Sequence, residues 1–120
     1  MKNTSLVLGA SLKKERYSHQ AVKQLLINNH QVKAFGLKSG QIENINIDTE
    51  LIFYQDIDTV TLYIGKKNQP EYYDYVISLN PNRVIFNPGT ENPEFYKLLD
   101  ENGIQYEVAC TLVLLATGQY

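Results

Sequence analysis

The stretch that most limits what this chain can become lies near its start, where an apolar run breaks into a bare turn and a helix follows. Leu6-Val7-Leu8 is short, fully apolar and bounded by Gly9, the pattern of a buried strand in a parallel sheet. Gly9-Ala10-Ser11 then sheds side-chain bulk, so a ligand can approach the backbone. The polar loop from Leu12 to Tyr17 carries the cations Lys13, Lys14 and Arg16, and Ser18 reads as the N-cap of a helix running from His19 to about Asn28. A strand, a small-residue turn with cations and a helix start together form an anion site, because free amides and the helix dipole favour phosphate. This is the first βα turn of a Rossmann-like sheet, where a phosphate-bearing ligand is the default expectation. Such junctions are also common in α/β domains that bind nothing there. The fingerprint G-x-G-x-x-G is incomplete, since Ser11 and Lys14 stand where its later glycines would be.

The rest of the chain alternates between strand and helix patterns. Val32 to Leu37 reads as a second strand, and the alternating Ile42, Ile45 and Ile47 suggest an edge hairpin, or a short extra strand around Glu50 to Phe53. Thr59 to Ile64 is a β-branched strand, followed by a Gly65-Lys66-Lys67-Asn68 turn and a helix capped by Asn68 with Pro70 in its first turn. Val84-Ile85-Phe86 is the next strand and ends in the turn Asn87-Pro88-Gly89-Thr90. Pro93 opens a helix that Asn102-Gly103 closes, Ile104 to Val108 is the last strand, and Ala109 to Ala116 reads as a buried terminal helix. The expected fold is α/β, Rossmann-like and doubly wound, a mainly parallel sheet of five or six strands with helices on both faces. At 120 residues the chain is long enough for one domain, spanning residues 1–120.

Composition narrows the function classes. A net charge of −2 and a pI near 5.6 give no basic field, which argues against nucleic acid and anionic membrane as partners. Neither a transmembrane run nor a signal-peptide pattern is evident, so a cytoplasmic location is expected. The lone Cys110 excludes an internal disulfide and any CxxC motif, and the scattered His19 and His30 do not suggest a zinc site. Nine tyrosines suit a homodimer face or an unidentified protein partner, and equally an ordinary surface.

In a sheet of this kind, ligands bind outside the carboxyl ends of the strands, where the strand order reverses. The turns expected on that edge are Gly9-Ala10-Ser11, Gly36-Leu37-Lys38, Tyr63-Ile64-Gly65 and Asn87-Pro88-Gly89-Thr90, joined by Cys110 at the start of the terminal helix. An NAD site usually carries an acid at the end of the second strand to accept from the ribose hydroxyls. Here Gly36-Leu37-Lys38 occupies that position, and an ammonium there favours an extra phosphate, as on NADP or the 3′-phosphate of coenzyme A (CoA).

These segments carry a family resemblance. Gly9-Ala10-Ser11 followed by Glu15-Arg16-Tyr17-Ser18 resembles the opening of small stand-alone bacterial CoA-binding domains. The segments Phe86 to Asn92 and Gly103 to Thr111 occur in the same order in that family, which is related to the CoA-binding domain of the succinyl-CoA synthetase alpha subunit. The resemblance implies a Rossmann-like fold holding CoA or an acyl-CoA, with the Gly9 loop on the diphosphate. Gly36-Leu37 departs from the Asn-Pro with which many members end the second strand. Three functions follow: a non-catalytic CoA-binding module, sensor or partner subunit; an NADP-type oxidoreductase; or an acyl-CoA enzyme using Cys110 as nucleophile. The missing glycines and the absence of a substrate domain weigh against the oxidoreductase.

Overall fold

The computed structural model of the chain describes residues 2–120. Seven strands form one sheet: β1 (Thr4–Leu8), β2 (Gln31–Phe35), β3 (Gly40–Ile42), β4 (Ile45–Asp48), β5 (Ile57–Leu62), β6 (Arg83–Phe86) and β7 (Gln105–Val108). Four helices accompany them: α1 (Tyr17–Ile27), α2 (Tyr73–Leu79), α3 (Pro93–Glu101) and α4 (Thr111–Ala116). The strand order is β3-β4-β2-β1-β5-β6-β7, with every pairing parallel except β3 with β4. The chain winds outward from β1 in both directions, so the order reverses between β1 and β5. Rossmann-like α/β architecture is therefore as expected, with seven strands rather than five or six. The difference is the Ile42/Ile45/Ile47 hairpin, which contributes two short strands at one edge, while residues 50–53 form no strand.

Alternation along each strand sends side chains to two apolar layers. Leu6, Leu8, Val60, Leu62, Val84 and Phe86 face α2, α3 and the segment around Tyr54. Val7, Ala34 and Ile47 face α1 and α4, meeting Val22, Leu25 and Leu115. β1, the middle strand, is buried along its whole length, as its apolar run Leu6-Val7-Leu8 implied, and Thr4 and Ser5 are buried with it.

Four helix features differ from the sequence reading. α1 begins at Tyr17 with Arg16 as its N-cap, and Ser18 lies buried within the first turn instead of capping it. Asn68 caps no helix. Two 3-10 turns, Lys66–Asn68 and Pro70–Tyr72, precede α2, since Pro70 lacks the amide that would join them into one helix. α4 is not buried all round: only Thr111 and Leu115 are, and Val113 is 56% exposed, because this short helix offers one side to α1 and the other to solvent. The end of α1 is as expected, with Asn29 in the left-handed region at φ 66°.

One close approach governs how β1 and β2 end. A Cβ on Gly36 would fall well inside van der Waals contact of the Ala10 carbonyl oxygen, and 3.0 Å from Ile47 Cγ2. Backbone on one side and a packed core residue on the other leave no room for a methyl group. Gly36→Ala should therefore destabilise the fold by about 1–3 kcal/mol, the usual range for overpacking. Urea denaturation measures this, and an unchanged midpoint would contradict it.

Candidate functional site

The carboxyl ends of β1, β2 and β5 enclose a cleft of about 780 Å³, within the usual range for small-molecule sites and astride the point of strand-order reversal. Its floor is Gly9-Ala10-Ser11 with Leu12, Lys13 and Arg16, one wall is Phe35-Gly36-Leu37-Lys38, and the other runs from Tyr63-Ile64-Gly65 to Asn68, Glu71 and Tyr72.

The floor is made by hydrogen bonding, and it distributes its donors differently from a simple glycine loop. The Phe35 carbonyl accepts from both Gly9 N (2.9 Å) and Ala10 N (2.7 Å). Those two amides are thereby withdrawn from any ligand. Gly9 contributes its conformation, φ +105°, and its missing side chain: a Cβ would lie 3.1 Å from Ile64 Cγ1 and 3.1 Å from the Tyr63 carbonyl carbon. Lys13 N donates to Ser11 Oγ and Arg16 N to the Lys13 carbonyl. The first-turn amides of α1 have no intrahelical acceptor and no side-chain cap, and no acidic residue stands in that turn. An uncapped helix start beside cations suits an anionic group. His19, buried in that turn, fixes the loop to the helix by donating from Nδ1 to the Ser11 carbonyl at 2.8 Å.

Charge in the cleft is mainly positive. Lys13, Arg16 and Lys38 line it, Lys14 is exposed on the same loop, and Glu71 is the lining carboxylate. The ion pairs among the described residues, Lys23–Glu43 and Arg83–Glu107, involve none of these cations. The end of β2 carries no acid. Asp48, beside it on β4, receives the Tyr54 hydroxyl. Tyr72 packs edge-on against Phe35 at 5.7 Å, giving the cleft an aromatic shoulder, and burial raises its hydroxyl pKa. Burial likewise pushes the Tyr63 hydroxyl up to about 12, so it stays protonated at neutral pH.

The structure brings together Gly9, Ala10, Ser11, Lys13, Arg16, Gly36, Leu37, Lys38, Tyr63, Ile64 and Gly65. The other expected site residues are not among those lining the cleft, although the start of α1 follows directly on the lining residue Arg16. Tyr17 is exposed at the start of α1, and Ser18 is buried in the first turn. Cys110 is half-buried at the N-cap of α4 and does not line the cleft. Pro88 and Gly89 are exposed on a turn of their own. Asn87 and Thr90 are buried and occupied internally. Asn87 Nδ2 donates to Thr61 Oγ1 and the Leu62 carbonyl, Asn87 Oδ1 accepts from Thr111 N, and the Asn87 carbonyl accepts from Thr90 Oγ1. Leu12, Phe35, Asn68, Glu71 and Tyr72 line the cleft as well, without a local sequence signal for it. Tyr72 shares a helical face with Val76 and Leu79, so periodicity assigns it to the core it also joins. No group of acidic, His and Cys residues among those described could hold a metal ion, and no helix is long and apolar enough to cross a membrane.

A search of curated proteins finds no match. Among solved structures, one described as an uncharacterized protein is 42% identical, with a TM-score of 0.96 over 100% of this chain and 99% of that one. A hypothetical protein from Pyrococcus horikoshii OT3 is 30% identical, with a TM-score of 0.80 over 93% of this chain and 80% of that one. A Thermus thermophilus protein at 21% identity shares the fold, with a TM-score of 0.86 over 99% of this chain and 91% of that one. The family described as "CoA binding domain" matches residues 3–116, and the chain belongs to that family.

Proposed function

We propose that this chain binds CoA or an acyl-CoA in the cleft at the ends of β1, β2 and β5, and acts as a binding module without chemistry of its own. The observation that carries the reading is the uncapped start of α1, set beside Lys13 and Arg16, which pair with no carboxylate among the described residues. The diphosphate belongs there, with Arg16 as a charged contact. Family membership supplies the ligand class. Lys38, at the end of β2 where an NAD site would carry an acid, suits the 3′-phosphate. Cys110, at the N-cap of α4, lies outside the cleft lining, which favours a module over a cysteine-dependent acyl-CoA enzyme.

Calorimetry with CoA, dephospho-CoA, NADP and NAD tests the ligand. CoA should bind most tightly, dephospho-CoA less tightly for want of the phosphate facing Lys38, and NAD weakest. Tighter binding of NAD than of CoA would overturn the assignment. A charge-assisted hydrogen bond is worth about 1.5–3 kcal/mol, so Arg16→Ala should weaken CoA binding roughly ten-fold or more. Arg16 is exposed, and the unfolding midpoint should hardly move. Unaltered affinity in the variant would remove Arg16 from the site.

A further inference from the structure

Gln69 sits between the two 3-10 turns that follow β5, with no exposure to solvent and no part in the cleft lining. Its Nε2 donates to the Ile64 carbonyl at 2.8 Å and to the Thr90 carbonyl at 2.7 Å. Two acceptors fix which end of the amide is nitrogen, so Oε1 must accept, and it does so from Asn92 Nδ2 at 2.8 Å. Asn92 Nδ2 also donates to the Tyr73 hydroxyl at 2.7 Å, and that hydroxyl donates to Glu94 Oε1.

This arrangement is expensive to build. A glutamine loses much rotamer freedom on burial, and its amide must be fully matched inside. Asn92 gives up something as well. It is the N-cap of α3, where an asparagine oxygen normally accepts from a first-turn amide, yet its side chain makes no such cap. Its Oδ1 is instead buried without a donor, because Nδ2 is turned toward Gln69 and Tyr73. A leucine or methionine could fill the same volume without these demands.

What the arrangement holds is one wall of the cleft. Ile64 and Gly65 lie just before Gln69, Asn68 adjoins it and Tyr72 follows, and all four line the cleft. Strands β5 and β6 end side by side, and the carbonyls just beyond them have no further strand to meet. Gln69 joins those two exits. We infer that Gln69 is a positioning residue: it sets where the wall from Ile64 to Tyr72 stands over the Gly9 floor, and so governs affinity for the part of the ligand beyond the diphosphate. The inference rests on CoA being the ligand of the cleft.

The test separates floor from wall. Inorganic pyrophosphate probes the floor alone, whereas CoA spans both. Gln69→Met keeps the volume and removes every hydrogen bond of the amide. It should weaken CoA binding about ten-fold while leaving pyrophosphate, followed by NMR titration, within about two-fold of the unmodified chain. Without any ligand, hydrogen exchange at the Asn68 amide, which donates to the Gly65 carbonyl, should speed up while amides in the middle of α1 stay protected. If Gln69→Met does not fold, Asn92→Ser puts a residue able to cap α3 at that position and removes the Nδ2 that donates to Gln69 Oε1 and the Tyr73 hydroxyl, and a smaller loss confined to CoA is expected. Unchanged CoA affinity, or an equal loss for CoA and pyrophosphate, would overturn the inference. Failure of the unmodified chain to bind CoA would instead overturn the ligand assignment, and the exchange result would still decide whether Gln69 holds the wall.

Discussion

The site depends on the Phe35 carbonyl, which takes hydrogen bonds from two successive amides, Gly9 N and Ala10 N. Double acceptance bends the chain sharply out of β1 and draws it against the end of β2. That approach is possible only because position 36 has no side chain, for any Cβ there would strike the Ala10 carbonyl oxygen. Gly9 then turns at φ +105° beneath Ile64, so the same turn touches the chain just beyond β5. Three strand ends are thereby gathered at one place, and the loop that leaves them reaches α1 with its first-turn amides still unpaired.

In this arrangement the amides free to meet an anion lie beyond Gly9 and Ala10. In a simple glycine loop the backbone amides of the turn would face the phosphate. Here the Gly9 and Ala10 amides are committed to Phe35, and the donors available to a ligand lie further along, among them those at the start of α1. His19 holds that start to the turn through the Ser11 carbonyl. The other side of the cleft is set by buried amides. Asn87 joins β5, β6 and the start of α4, Gln69 joins the exits of β5 and β6, and Thr90 links the two. A polar network of this kind holds its geometry tightly when every member is matched, since a broken member leaves a buried group unpaired.

Much of this was legible in the sequence. The apolar run of β1, the bare turn after it and the alternation of strand and helix lead directly to the fold class and to the floor and two walls of the cleft. The isoleucine alternation exposed the hairpin. What stayed hidden depended on partners distant in the chain. Asn87-Pro88-Gly89-Thr90 has the composition of a ligand loop, yet its two polar side chains turn inward because the exits of β5 and β6 need donors. Gln69 follows two lysines and precedes a proline, with no local signal of burial, and its partners Thr90 and Asn92 are distant in the chain. Ser18 reads as a cap because capping is a local rule, whereas the loop that leaves Ser11 fixes where α1 begins. The terminal helix reads as buried because its composition is apolar, but in only six residues it meets α1 on one side.

On the CoA reading proposed above, the diphosphate meets the unpaired amides leading into α1 rather than those of Gly9 and Ala10, which are bonded to Phe35. Backbone amide NMR during a CoA titration tests it most directly. Large shifts are expected at Tyr17, Ser18 and His19, with smaller ones at Gly9 and Ala10, whose amides remain bonded to Phe35. Shifts centred on Cys110 and α4, with the start of α1 unmoved, would contradict it.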